Sequence, residues 1–347
     1  MNKKIVFVCN HLYGGGAERV LTLLANYFDF EKYKVSIIVY DGKKSYPLNI
    51  GIKVIEIGDS NSLLRQAILT RKKIKKINPD IVISFEYFVN LCTIIACLGI
   101  NTRIIVSERN DPSIVGAGRI KGRLRNFLYR FCDKLVCQTQ DAMNYFPQYI
   151  RKKTCIILNP IKNDLPKIWN GERTKEIVAF CRLNKQKNLP LLIDAFKEFE
   201  ESHKEYYLSI FGDGEELDNL KKYIREKNCF KIVKIYHGRN DIHNRVLNAA
   251  MFISSSDYEG LSNSMLEAMA IGLPTICTDC PCGGARMVIK NGENGLLVPV
   301  GNKDELVYAM KKIADNLELS QKLSQNASKL KLELSIERIA TKWKMLF

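Results

Sequence analysis

Short, continuously apolar runs alternate with longer amphipathic segments along almost the whole chain. In the first half the apolar runs fall at residues 5–9, 35–40, 54–57, 81–84, 104–107, 135–137 and 155–158. Helical patterns separate most of them, as at 18–28, 63–77 and 124–132. Strands that are apolar throughout, rather than on alternate residues, are buried on both faces. Such strands separated by helices predict a parallel sheet with helices on either side. Asn159-Pro160 ends the last run, and a polar stretch at 162–174 with Pro166 and Gly171 reads as a linker. The alternation then resumes, with strands expected at 177–180, 208–211, 233–236, 252–254, 275–277 and 296–298. Helices are expected at 189–201, 216–227, 242–249, 263–271 and 303–316, with more helix from 319 to 347. The expected architecture is α/β, with two Rossmann-like, doubly wound domains facing a central cleft. They span 1–163 and 164–330, and a terminal helix follows at 331–347. In such sheets ligands bind beyond the carboxyl ends of the strands.

Several chemistries are disfavoured at once. The 11 cysteines, an odd number scattered from Cys9 to Cys282, do not read as a disulfide framework, and buried reduced thiols are expected. The four histidines, His11, His203, His237 and His243, show no metal-binding helix spacing, so no metal is expected. The run at 5–9 is too short for a signal peptide and no small-residue cleavage site follows it. The apolar stretch at 88–100 contains Asn90 and falls short of the ~20 residues that span a bilayer. A soluble, cytoplasmic protein is expected.

Charge is unevenly distributed. Residues 1–165 carry 26 Lys+Arg against 13 Asp+Glu, and residues 166–347 carry 27 against 24. The first half therefore holds nearly all of the net +16, which predicts that it faces something anionic. Its densest clusters are residues 71–76 and 119–130, the second mixing cations with Leu124, Phe127 and Leu128 at helical spacing. A helix of that kind suits an anionic membrane surface, although a core-packed helix with a solvated basic face has the same pattern. No nucleic-acid motif is present.

Three segments carry candidate chemistry. Gly14-Gly15-Gly16-Ala17-Glu18 follows the first strand, where glycines let backbone approach a phosphate and a helix start supplies amides. Arg19 stands where a dinucleotide fingerprint needs glycine, and a plain tight turn is the competing reading. Arg182 and Lys187 bracket the loop after the first strand of the second half, and suit a diphosphate unless that loop is merely solvated. In the third segment, from Asp257 to Pro274, Ser262 caps a helix ending at Gly272. Glu259 lies before that helix and Glu267 within it. A capped core helix with solvated acids is the bland alternative.

The run Glu259-Gly260 to Leu266-Glu267-Ala268-Met269-Ala270, then Gly272 and Pro274, resembles the signature of retaining GT-B glycosyltransferases, and the chain is identified as a member of glycosyltransferase family 4. Gly14–Glu18, Arg182…Lys187-Asn188, Phe211-Gly212-Asp213-Gly214 and Asn291–Val298 resemble further elements of that family in order and spacing. The resemblance implies the GT-B fold, return of the terminal helix at 331–347 to the first domain, and metal-independent transfer from a UDP-linked sugar, a hexose or N-acetylhexosamine, with retention and no cofactor. It implies that Glu267 holds the ribose, Glu259 the transferred sugar, and Arg182 and Lys187 the diphosphate. Ser262 and Asn263 offer backbone amides, and Gly15 and Gly16 approach the diphosphate.

One departure concerns the acceptor side. Many relatives carry a histidine after a mid-sheet strand of the first domain, where this chain has Ser107-Glu108-Arg109-Asn110. Arg109 or Asn110 is expected to contact the sugar instead. Similar segments belong to bacterial surface-polysaccharide branches of the family, of the capsule or lipopolysaccharide kind. The implied partners are therefore a lipid-linked saccharide acceptor and the anionic inner face of the plasma membrane. The competing functions are a GT-B nucleotide-sugar epimerase, a nicotinamide-dependent oxidoreductase and a non-catalytic basic scaffold. The paired glutamates with the Arg182–Lys187 clamp favour the transferase.

Overall fold

The structure, a computed structural model, describes residues 3–31, 33–43, 46–116 and 118–347. The chain divides into two compact units, Met1–Lys162 with Leu334–Phe347, and Asn163–Glu333.

In the N-terminal unit the strands are β1 (Lys4–Cys9), β2 (Lys34–Val39), β3 (Lys53–Glu56), β4 (Ile81–Phe85), β5 (Arg103–Ser107), β6 (Lys134–Cys137) and β7 (Thr154–Ile156). The helices are α1 (Gly16–Phe30), α2 (Leu63–Ile77), α3 (Tyr87–Cys97), α4 (Arg119–Leu128), α5 (Gln140–Tyr145) and α6 (Gln148–Arg151). All strand pairings are parallel, in the order β3-β2-β1-β4-β5-β6-β7. The apolar runs explain this arrangement. Ile5 to Val8 and Ile81 to Ile83 are fully buried or nearly so, and only a sheet covered on both faces accepts them. The apolar stretch at 88–100 becomes α3, whose Asn90 is satisfied inside by Ser84, Ser107 and Tyr129. Among the described residues no helix is long and apolar enough to cross a membrane.

The C-terminal unit contains β8 (Glu176–Phe180), α7 (Leu189–Glu200), β9 (Tyr207–Phe211), α8 (Leu217–Glu226), β10 (Val233–Tyr236) and α9 (Ile242–Arg245). There follow β11 (Met251–Ser254), α10 (Asn263–Ala270), β12 (Thr275–Thr278), β13 (Leu296–Val298), α11 (Lys303–Ala314), α12 (Leu317–Ser328) and α13 (Leu330–Glu333). Its parallel sheet has the order β10-β9-β8-β11-β12-β13. Leu192, Ile193, Phe196 and Phe199 of α7 pack with Ile177, Leu208, Ile210 and Ile253 of the sheet in one core. The helix expected at 242–249 stops at Arg245, whose guanidinium grips the buried Glu176 carboxylate at 2.7 and 2.9 Å.

The last helix, α14 (Ile336–Lys344), belongs to the N-terminal unit. Ile161 pairs with Ser335, Trp343 stacks on Phe85 with ring centroids 5.6 Å apart, and Phe347 meets Phe28 edge-on. Each sheet has a switch point where chain order reverses, β1/β4 in one and β8/β11 in the other. Crevices that receive ligands form at the carboxyl ends of such strands.

Candidate active site

The loops after β8 and β11, the two strands flanking the C-terminal switch point, meet. Asn188 adopts a left-handed conformation (φ 42°), which turns the chain into α7. Its side chain donates to Asp257 at 2.6 Å, while Ser255 donates to the Lys187 and Asn188 carbonyls. Gln186 donates to the Tyr258 carbonyl at 2.8 Å, and the Asp257 amide donates back to the Gln186 carbonyl. This lacing holds the Lys187 ammonium against the Glu259 carboxylate. Burial, the largest single influence, disfavours the lysine's charge, but Glu259 together with the neighbouring Cys181 and Cys280 holds its pKa above the ordinary value. The ammonium is therefore charged across the neutral range.

Ser262 caps α10, accepting from the Met265 amide at 3.4 Å, and Asn263 opens the helix. Glu267, one turn further on, is not solvated: it is 4% exposed, and its carboxylate lies 2.9 Å from Nε2 of His243 on α9. Arg182 is exposed in the loop after β8. The course of that loop is fixed by glycines. A Cβ at Gly212 would lie 1.9 Å from the Cys181 carbonyl oxygen, and one at Gly214 2.2 Å from that of Leu183. Both glycines follow β9, and only glycine lets that loop lie so close against the loop after β8. A third approach supports Glu259, because a Cβ at Gly284 would lie 1.6 Å from the Gly260 carbonyl oxygen.

The cysteines beside this loop are thiols. Burial first, then the nearby charge of Glu259, pushes Cys280 up to about 12, and Cys277 is raised too. Among the described residues no group of three His, Cys, Asp or Glu side chains is disposed to hold a metal ion.

In the N-terminal unit Gly15 and Gly16 form the start of α1 after β1. Arg109 lies after β5, its guanidinium 4.5 Å over the Phe85 ring and donating to Asn159 at 2.6 Å and to Ser107 at 3.4 Å. Burial lowers its pKa to about 9, against the opposing pull of Glu86 and Glu18. The side-chain oxygen of Asn110 accepts from the adjacent Asp111 amide. Arg182, Lys187, Glu259, Ser262, Asn263 and Glu267 thus share one end of the C-terminal sheet. Gly15, Gly16, Arg109 and Asn110 lie at the corresponding end of the N-terminal sheet. The reading from sequence did not anticipate His243, Gln186 or Asp257, because the bonds they make span 24 to 72 residues of chain.

A family model described as glycosyltransferase family 4 matches residues 14–165, and one described as glycosyl transferases group 1 matches residues 161–330. An N-acetylgalactosamine-N,N'-diacetylbacillosaminyl-diphospho-undecaprenol 4-alpha-N-acetylgalactosaminyltransferase of Campylobacter jejuni is 29% identical, with 94% of each chain covered. A second transferase of that organism is 26% identical over 98% of this chain and 97% of its own. It adds an alpha-1,4-N-acetyl-D-galactosaminyl group to a diphospho-undecaprenol-linked saccharide. Among solved structures, Anabaena HepE in complex with UDP-glucose superposes with a TM-score of 0.85 at 19% identity, covering 99% of each chain, a likeness that shows the GT-B fold. The chain belongs to glycosyltransferase family 4 and is a retaining glycosyltransferase with the GT-B fold.

Proposed function

We propose that the protein moves a hexose or N-acetylhexosamine from a UDP-sugar to a lipid-linked saccharide acceptor in surface polysaccharide synthesis, with retention and without a metal. The observation that carries this reading is the pairing of Lys187 with Glu259 beside the capped start of α10. It concentrates a cation, the amides of a helix start and a carboxylate at the switch point. The Campylobacter relatives, which act on undecaprenol-linked acceptors, and the UDP-glucose in HepE support the donor and acceptor classes.

In this reading the acceptor hydroxyl oxygen bonds to the anomeric carbon as the bond from that carbon to the diphosphate breaks. The hydroxyl proton passes to the departing diphosphate oxygen, so no protein nucleophile is needed. Arg182 and Lys187 neutralise the charge that develops on the diphosphate, the electrostatic work a metal does elsewhere. Amides at Ser262 and Asn263 face the distal phosphate. Glu267, held by His243, takes the ribose hydroxyls, and Glu259 takes those of the transferred sugar. Gly15 and Gly16 are assigned to the diphosphate by the family resemblance alone.

The membrane side is read from α4. Only Arg125 and Leu128 of that helix are buried, while Ile120, Leu124, Phe127 and the following Phe131 are exposed among Arg119, Lys121, Arg123 and Arg130. An apolar ridge rimmed by cations suits the anionic inner leaflet of the plasma membrane, with the protein peripheral on the cytoplasmic side.

The test is release of free nucleotide from a panel of UDP- and GDP-sugars in EDTA, with and without bacterial lipid extract. Release from one UDP-sugar that the extract stimulates supports the proposal. Folded protein that turns over no donor in either condition refutes it.

A further inference from the structure

We propose that the C-terminal unit carries a second saccharide-binding site, at the opposite end of its sheet from the candidate active site. The inference stands apart from the transferase reading, because it rests on other residues. A cavity of about 690 Å³, a size typical of small-molecule sites, lies at the amino ends of β8 and β11. Lys187 and Glu259 follow the carboxyl ends of the same two strands. The five residues of β8, roughly 16 Å of strand, separate the two places. The cavity is lined by residues 168–175, by Ala250 and Met251 where β11 begins, and by the end of α11 and one face of α12.

The segment at 168–175 reads from sequence as a polar linker, yet it is tied down. Arg173 donates to the Ala249 carbonyl at 2.9 Å, the Gly272 carbonyl at 2.6 Å and the Ser324 hydroxyl at 2.9 Å. Just upstream, Lys331 donates to the Leu165 carbonyl at 2.7 Å. Ile168 packs so closely on Gly272 that a Cβ there would lie 2.5 Å from its side chain. Trp169 is braced in the same way. Its indole N–H donates to the Glu172 carbonyl at 2.9 Å, and a Cβ on Gly171 would lie 2.9 Å from the ring. The ring is nevertheless 38% exposed. An aromatic side chain fixed in place but left open to solvent has little freedom to lose when a ligand meets it. On α12, Leu317, Gln321 and Gln325 recur every four residues, so they share one face, and all three are exposed.

The chemistry of the walls selects the ligand. An anion fits poorly, because both terminal guanidinium nitrogens of Arg173 are engaged by carbonyls and by Ser324. Lys175 lies 3.6 Å from the Glu205 carboxylate, and Glu172 adds an acid to the lining. A purely apolar ligand fits poorly against the amides of Asn170, Gln321 and Gln325. A neutral saccharide suits all of them. Side-chain amides both donate to and accept from hydroxyls, a carboxylate accepts from them, and the Trp169 ring offers the flat apolar surface on which the carbon face of a sugar packs.

The chain has two tryptophans, and Trp343 is buried against Phe85, so a change in emission on ligand binding at this cavity reports Trp169. The full chain is titrated with maltotriose, with triacetylchitotriose and with inorganic phosphate, followed by fluorescence and by calorimetry. Trp169→Ala and the double variant Gln321→Ala with Gln325→Ala are compared with it. Both alter exposed side chains, and thermal unfolding checks that they fold. The expected result is saturable binding of one of the two saccharides with a change in tryptophan emission. In both variants that affinity weakens by about 10-fold or more, while UDP affinity stays within about twofold. Folded wild-type protein that binds neither saccharide overturns the proposal, as does saccharide binding that both variants keep. Phosphate binding lost in the variants, with no saccharide bound, overturns it in favour of an anion site. Failure to bind UDP counts against the transferase reading and leaves the saccharide titration to be read on its own.

Discussion

Nε2 of His243 lies 2.9 Å from the Glu267 carboxylate, and both side chains are almost wholly removed from solvent. A buried carboxylate that also has to meet a ligand needs a partner to orient it, and the short helix α9 supplies one. Removing the imidazole takes one hydrogen-bond partner from a buried carboxylate, at a cost of about 1–3 kcal/mol. His243→Ala is expected to raise the donor KM by about 10-fold or more while kcat changes less, as read from initial rates over a range of donor concentrations. His243→Gln, which keeps a donor in reach, is expected to recover part of the loss.

The Lys187–Glu259 pair predicts a separation of stability from activity. Lys187→Ala leaves a partly buried carboxylate without its cation, so the melting temperature falls and transfer drops by about 100-fold or more. Pairing Lys187→Met with Glu259→Gln removes both charges. The double variant is expected to regain most of the lost melting temperature and none of the transfer rate, measured by thermal unfolding and nucleotide release.

Gly284 predicts an effect transmitted through backbone. Alanine there puts its Cβ 1.6 Å from the Gly260 carbonyl oxygen, so the loop bearing Glu259 has to move. Gly284→Ala is expected to lose at least 10-fold in transfer and several degrees in melting temperature. Gly122→Ala, on α4 with open space around the new methyl group, is expected to be neutral or to stabilise by about 0.5–1 kcal/mol.

Glu108 supplies the pH dependence. It is buried and accepts from the Tyr129 hydroxyl at 2.6 Å. Burial raises its pKa, while Arg125 and the Tyr129 hydrogen bond pull the other way. A carboxyl group raised on folding contributes stability that is present below its ordinary value near 4.5 and is lost as pH rises through the folded value. Glu108→Gln keeps an acceptor for Tyr129 and removes the titration. The difference in melting temperature, variant minus wild type, is therefore expected to be more favourable at pH 8 than at pH 5.

The sequence revealed most of the fold because strands buried on both faces must be apolar throughout. Val233–Tyr236 and Leu296–Val298 appear in the structure with the ends expected, and most other strands differ by a residue or two. The helix at 119–128 begins five residues before the start expected at Leu124, since its first turns carry Arg119, Lys121 and Arg123 facing outward with Ile120 as their one large apolar residue. At the candidate site the chain-local signals were legible: the Ser262 cap, the acids on either side of it and the glycines of tight loops. Bonds between loops distant in sequence were not, and for that reason His243, Asp257 and Gln186 emerged only with the structure. Glu267, whose bland alternative was a solvated acid, proved buried against His243 of α9, a tertiary effect with no local signature.

The most direct test of the central claim, that the C-terminal unit cradles a nucleoside diphosphate sugar without a metal, is calorimetric titration of UDP in EDTA. Wild type and Glu267→Ala are compared, with folding checked by circular dichroism. The account predicts saturable binding to the wild-type protein that weakens at least 10-fold in Glu267→Ala. Absence of binding to folded wild-type protein, or equal binding by both proteins, would contradict it.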